Sequence, residues 1–213
     1  MRTLVSASLL AADKNNLLDE LKRVEQSKID FIHFDVMDNQ FVQNISFLDG
    51  TFTKIRKYSS LPFEVHLMVN NPLDYIDKYD FSKEDVIIIH YECFKNAQEL
   101  MSCIKQIKKK HRVGVSIKPH TEVKVLEPYL KLLDYILIMS VEPGFGGQKF
   151  LPSALDKIKY LSERKKEYHY LIEVDGGINE ITGQKCKDVG VDILVSGSYL
   201  FNESMKERVE LLR

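Results

Sequence analysis

Short apolar runs rich in β-branched and aromatic residues recur along the chain, at Thr3–Ser6, Phe31–Val36, Phe63–Met68, Val86–His90, Val113–Ile117, Tyr135–Val141, Tyr170–Val174 and Ile193–Val195. Runs that are apolar on both faces suit parallel strands covered by helices. Between them, Leu17, Leu21 and Val24, and again Leu100, Ile104 and Ile107, recur at i, i+4 and i+7 with charges on the opposite face. That spacing predicts amphipathic helices. Strand and helix alternate throughout, and eight such units in about 200 residues predict a closed (β/α)8 barrel. The competing open doubly wound sheet would more naturally carry a GxGxxG turn after its first strand. Here Ser6 leads instead into Ala7-Ser8-Leu9-Leu10, without a glycine. No linker, low-complexity tract or short internal repeat breaks the pattern, so residues 1–213 read as one domain.

The 44% hydrophobic content is enough to fill one core. Thirty basic and thirty-one acidic residues give a net charge of −1, so no global field attracts nucleic acid or an anionic membrane, and an anionic ligand must be held locally. Cys93, Cys103 and Cys186 are odd in number and irregularly spaced, matching neither a disulfide framework nor a CxxC metal site. Reduced thiols, with no apolar stretch long enough for a signal peptide or a membrane span, give the expectation of a cytoplasmic protein. The densest basic run, Lys105–Arg112, falls at the end of a predicted helix, where cations complement the helix dipole, and reads as a solvated end.

Barrel enzymes keep their chemistry at the C-terminal ends of strands, so the informative residues are polar ones where an apolar run finishes. His33 and Asp35 alternate with Phe34 and share one strand face. His66 ends Phe63–His66, and Asp175 follows Leu171–Val174. A lone strand histidine is more often a hydrogen-bonded core residue, and a strand-end aspartate often a helix cap. The His-x-Asp pair resists that reading, because an ionised carboxylate buried without a partner is costly. Two imidazoles and two carboxylates could surround one divalent cation: zinc, iron, manganese or cobalt. His90 also ends a strand, but no role requires it, and it reads as structural or supporting. His111 and His120 lie outside the group.

Glycine-rich turns form a second constellation. Pro143-Gly144-Phe145-Gly146-Gly147-Gln148 follows the sixth run, Gly176-Gly177-Ile178 the seventh and Ser196-Gly197-Ser198 the eighth. Such turns let backbone N–H groups crowd around an anion, and a helix beginning just after Ser198 would aim its positive end at the same spot. Strand-to-helix turns need glycine anyway, but three adjacent ones favour phosphate. The lysine of a Walker-type loop is absent, which argues against nucleotide triphosphate hydrolysis. Met37, Met68 and Met139 lie near strand ends and would line such a site, though methionine is more often core filler.

With these stretches the chain resembles the ribulose-phosphate 3-epimerase family, essentially end to end. Ser6–Asp13 (SASLLAAD), Ile32–Asp38 (IHFDVMD), Phe41–Asn44 (FVQN), Glu64–Val69 (EVHLMV), Met139–Phe150 (MSVEPGFGGQKF), Glu173–Ile178 (EVDGGI) and Val195–Phe201 (VSGSYLF) carry the likeness, in the family's order. The resemblance implies that His33, Asp35, His66 and Asp175 are metal ligands, with Asp35 and Asp175 doubling as the acid/base pair. It also implies that Ser8 and His66 contact substrate, while Gly144, Phe145, Gly146, Gly147, Gly176, Gly177, Gly197 and Ser198 hold the phosphate end. Asn39-Gln40 stand where many members have Gly-His, Gln43 and Ala7 where Pro is usual, and Leu48-Asp49 where Gly-Pro is usual.

Inverting a carbon next to a ketone needs one group to remove a proton and another to return it on the opposite face. Two aspartates flanking the substrate can do this, with a cation stabilising the enediolate. The expected activity is interconversion of D-ribulose 5-phosphate and D-xylulose 5-phosphate, as in the pentose phosphate pathway, with no organic cofactor. Because the departures cluster in the loop after the second strand, the same chemistry on D-allulose 6-phosphate stays open. A metal-dependent aldolase-type reaction and a silent phosphate binder are the remaining alternatives. Metal identity and oligomeric state are left open; an exposed apolar helix face could pair subunits.

Overall fold

Eight parallel strands pair in chain order and close: β1 (Leu4–Ser8), β2 (Phe31–Met37), β3 (Phe63–Met68), β4 (Val86–His90), β5 (Arg112–Ile117), β6 (Tyr135–Met139), β7 (Leu171–Asp175) and β8 (Ile193–Ser196). This computed structural model describes residues 2–48, 50–202 and 204–213. The helices are α1 (Leu17–Gln26), α2 (Thr51–Arg56), α3 (Pro72–Ile76), α4 (Ala97–Ile107), α5 (Ser153–Arg164), α6 (Glu180–Asp188) and α7 (Met205–Leu212). Between β5 and β6 the α-helix of the expected repeat is replaced by a 3-10 helix, Val123–Tyr129, which contains Pro128. Proline lacks the N–H and crowds the preceding turn, which disfavours a regular α-helix there.

Strand alternation sorts the side chains into two cores. Ile32, Phe34 and Val36 pack outward under the helices with Leu21, Val24 and Phe52. On the inner face Phe31, Val86, Ile88, Tyr135, Leu137 and Ile193 form a separate apolar plug. That plug fills the barrel's lower half, so polar inner-face residues collect above it, toward the strands' C-terminal ends. Register brings them level: Ser8 lies beside His33, Asp35 beside His66, and Met139 beside Asp175.

Four matching clasps close the opposite end. Asp30, Asp85, Asp134 and Asp192 each stand immediately before an even-numbered strand. Each carboxylate accepts the first free backbone N–H of the odd strand beside it: Val5 N to Asp30 (2.9 Å), Phe63 N to Asp85 (2.9 Å), Val113 N to Asp134 (2.9 Å) and Ile172 N to Asp192 (2.7 Å). A cation holds every one: Arg2 and Arg213 on Asp30, Arg56 on Asp85, Lys108 on Asp134 and Lys165 on Asp192. The barrel is thus a ring of four strand pairs, a repeat whose uneven spacing hides it in the sequence.

Several expected boundaries shift. β1 runs on to Ser8, β6 stops at Met139, and β7 includes Asp175. The helix expected directly after Ser198 is absent: one turn forms at Gly197–Phe201, and α7 begins only at Met205. The reason is local. Asn202 turns its amide N–H back to Tyr199 O while its Oδ1 accepts from Ser204 N, and Arg208 takes Tyr199 O as well, so that carbonyl is not left for a continuing helix. Among the described residues no helix is long and apolar enough to cross a membrane.

Candidate active site

His33, Asp35, His66 and Asp175 meet at the upper inner face. His33 Nε2 is 3.4 Å from Asp35 Oδ1 and 3.9 Å from Asp175 Oδ2; His66 Nδ1 is 3.1 Å from Asp35 Oδ1 and 3.3 Å from His33 Nε2. One donor atom from each lies within 4.8 Å of all the others. Two ring nitrogens and two carboxylate oxygens converging on one point, mostly out of water, are a donor set that fits a first-row divalent cation. Ser8 Oγ donates to Asp35 Oδ2 at 2.9 Å and fixes the carboxylate's rotation.

Beneath this set lies a second layer that the sequence reading missed. Glu64 and Glu173 are both fully buried, and Glu173 Oε1 and Glu64 Oε2 lie 3.2 and 3.7 Å from His33 Nδ1. Ser6 Oγ donates to Glu64 Oε2. Each glutamate stands two residues before a site residue on the same strand, His66 or Asp175, so the inner-face alternation already visible at His33-x-Asp35 would have pointed to both. Burial, then the charge of Glu64, pushes the Glu173 carboxyl well above the usual range, which favours its protonated form.

The two aspartates sit in unlike environments. Burial tends to raise Asp35, but the adjoining His33 and His66 outweigh it and hold the group well below the usual carboxylate range. Asp175 is pushed up to about 7, by burial first and then by the charges of Asp35 and Glu64, against the pull of His33. Two carboxyls pushed apart in this way are suited to unlike acid and base roles.

His90, without an assigned role in the sequence, is the last residue of β4 and stands beside His66: the two Nε2 atoms are 2.8 Å apart. Its Nδ1 faces Glu92 Oε2 at 3.1 Å. His111 packs against Phe81, and His120 is exposed, 3.4 Å from Glu142; neither joins the cluster.

An open cleft of about 630 Å3 lies over the carboxylates. Ser8, Asp35, Asp175 and all three methionines, Met37, Met68 and Met139, line it, as do Gly144, Phe145, Gly146, Gly147, Gly176, Gly177, Gly197 and Ser198. The glycines are required to different degrees. Gly177 has φ +62°, and a Cβ there would stand 2.5 Å from Phe150 N; one on Gly176, at φ +122°, would meet Val141 Cγ2 at 2.6 Å. At Gly146 nothing lies within 4 Å. Asn179 caps α6 in a reciprocal box with Thr182, so the positive end of that helix begins just past Gly177.

The loop after β2 accommodates its departures from the family. Asn39 has φ +58°, which explains a glycine as the usual residue and asparagine as the tolerated substitute. Asp38 accepts from Gln40 N and Phe41 N, and Asn44 Nδ2 donates across the mouth to Gly144 O. Asn39, Gln40, Gln43 and Leu48 are exposed and line no part of the cleft; Asp49 lies outside the described residues.

Residues 4–201 match the model of the ribulose-phosphate 3 epimerase family. The ribulose-phosphate 3-epimerase of Chlamydia pneumoniae is 40% identical over 217 residues, covering 99% of this chain and 94% of that protein. That of Bacillus subtilis (strain 168) is 38% identical, covering 96% and 94%. A tryptophan synthase chain of Mycobacterium tuberculosis superposes with a TM-score of 0.68 at 12% identity, covering 99% of this chain and 91% of that one, a likeness of fold alone.

Proposed function

The chain belongs to the ribulose-phosphate 3-epimerase family and is an isomerase, and we propose that it inverts carbon 3 of D-ribulose 5-phosphate to give D-xylulose 5-phosphate, as one catalytic domain. The observation that carries this reading is the meeting of Asp35 and Asp175, from separate strands, beside one histidine pair, with one carboxyl held ionised and the other poised near neutrality. One aspartate takes the proton of carbon 3 from one face and the other returns a proton on the opposite face, so nothing is consumed.

His33, Asp35, His66 and Asp175 would hold one divalent cation. When bound, it supplies Lewis-acid stabilisation of the negative charge that develops on the substrate's oxygens. Ser8 holds Asp35 in place, the three methionines give the reacting carbon an apolar wall, and the backbone N–H groups around Gly144–Gly147, Gly176, Gly177, Gly197 and Ser198 receive the phosphate. Nothing in the cleft favours a six-carbon ketose phosphate: of the described residues that depart from the family, Asn39, Gln40, Gln43 and Leu48 face solvent and Ala7 is buried in the outer core, and none lines the cleft.

A coupled assay on D-ribulose 5-phosphate in deuterated solvent tests the reading. Turnover with deuterium entering carbon 3, lost on chelation and restored by zinc, iron, manganese or cobalt, is expected. Carbon–carbon cleavage, or full turnover after chelation, would overturn it.

A further inference from the structure

We propose that Glu92 and His90 form a positioning relay that fixes the tautomer of His66, leaving a lone pair rather than a hydrogen on the Nδ1 that faces the cation. The proposal rests on the cation reading above. It follows from counting hydrogens along one buried line. Glu92 Oε1 accepts from Lys118 N at 2.7 Å and from the Thr121 hydroxyl, so that carboxylate is committed as an acceptor. Its other oxygen faces His90 Nδ1 at 3.1 Å, and the ring must therefore carry its hydrogen there. A neutral His90 then has only a lone pair at Nε2. Nε2 of His66 is 2.8 Å away, and since just one hydrogen fits between the two nitrogens, His66 supplies it. The remaining nitrogen of His66, Nδ1, is left bare and points at Asp35 and His33.

The opposite state shows why the relay is needed. With both rings reversed, His66 Nδ1–H would donate to Asp35 at 3.1 Å, a satisfied hydrogen bond in which neither group is free for a cation. Nothing within the four-residue set forbids that state; the charge of Glu92 does. The anchor of Glu92 is itself braced, because Lys157 Nζ on α5 donates to the carbonyls of Lys118, Pro119 and Thr121. A ligating histidine steadied through its second nitrogen by a carboxylate is a general device, whose loss costs about 10–100-fold in metal affinity.

Glu92→Gln makes the sharpest test. Its amide oxygen must serve Lys118 N and Thr121, which turns its N–H toward His90 and reverses both rings with almost no change of shape. The full chain is loaded with Co(II), and its dissociation constant is read by competition against a chelating dye, together with the visible absorption of the bound ion. About a 10-fold weaker constant and an altered spectrum are expected for Glu92→Gln, and about 10–100-fold weakening for His90→Phe, which keeps the ring but removes the acceptor. His90→Gln, whose amide oxygen can accept from His66, should recover most of the loss, a rescue that a merely structural role would not give. Equal Co(II) affinity in the parent, Glu92→Gln and His90→Phe overturns the relay and leaves the cation reading standing. A parent that binds no Co(II) overturns both. If His90→Phe does not fold, Glu92→Gln decides alone.

Discussion

Asp175 and Asp35 are the same residue type in two solvent environments: the Asp175 side chain is 19% exposed at the cleft, and that of Asp35 3%. Asp175→Asn keeps the shape and removes the proton acceptor, so epimerisation should fall by at least about 10³-fold, with cation affinity weakened because a ligand is lost. Turnover at the parent's rate in the coupled assay would end the acid/base assignment. The glycines make a second prediction at this scale. Gly177→Ala places a methyl group against Phe150 N at a left-handed φ and should cost about 2–4 kcal/mol in urea unfolding, whereas Gly146→Ala, with open space around it, should unfold like the parent. Equal losses in the two variants would show that the crowding around Gly177 has no energetic content.

Elements carry these residues to their places, and their ends matter more than their middles. α6 begins where the Gly176-Gly177 turn stops, and Asn179 satisfies the N–H groups of Ile181 and Thr182. Asn179→Ala should cost about 1 kcal/mol, measured by the same unfolding. The segment after β4 gives a pH prediction. Burial works to raise Glu92, but its bonds to His90, Thr121 and Lys118 prevail and bring it down to about 2, from an ordinary 4.5. Its folded value is depressed, so the unfolded chain binds the extra proton. The stabilisation is therefore full above pH 4.5 and fades as pH falls toward 2. The stability difference between the parent and Glu92→Gln, measured in the presence of chelator, should be about 1–3 kcal/mol at pH 6 and shrink markedly by pH 3. A difference independent of pH would contradict the assignment.

At the scale of the whole molecule, chemistry and stability occupy opposite ends of one barrel. The upper end gathers like charges, a costly arrangement in the protein alone. The lower end offsets it with four aspartate clasps, of which Asp85 is the most buried, accepting from Phe63 N, Ser82 N and Arg56 Nε. Removing it leaves the Arg56 guanidinium, partly buried, with only Ser59 O and Ser82 Oγ, and strands two backbone donors, so Asp85→Ala should lose about 2–4 kcal/mol. Asp134→Ala, at a more exposed clasp, should lose about 1 kcal/mol. Both variants should keep the parent's KM, because no clasp approaches the cleft. Asp30 adds ring closure: Arg2 and Arg213 both reach it, joining the two ends of the chain at one carboxylate.

The order of the strands, their inner-face alternation and the four residues that converge were legible because a strand's period of two and a helix's of 3.6 are local properties that hydrophobic spacing records. His33-x-Asp35 announced itself by putting two polar groups on one face of an apolar run. Glu64, Glu173 and His90 use the same alternation and Glu92 follows on the turn after β4, yet a single carboxylate or histidine looks alike in sequence whether it is a bystander or a support. Their meaning depends on which atoms face one another across strands, and register decides that. The missing helix after Ser198, the four-part ring of clasps and the direction in which His66 presents its nitrogen belong to the same class. Each depends on hydrogen bonds between segments whose distance in the chain says nothing of their distance in space, so only the closed barrel could decide them.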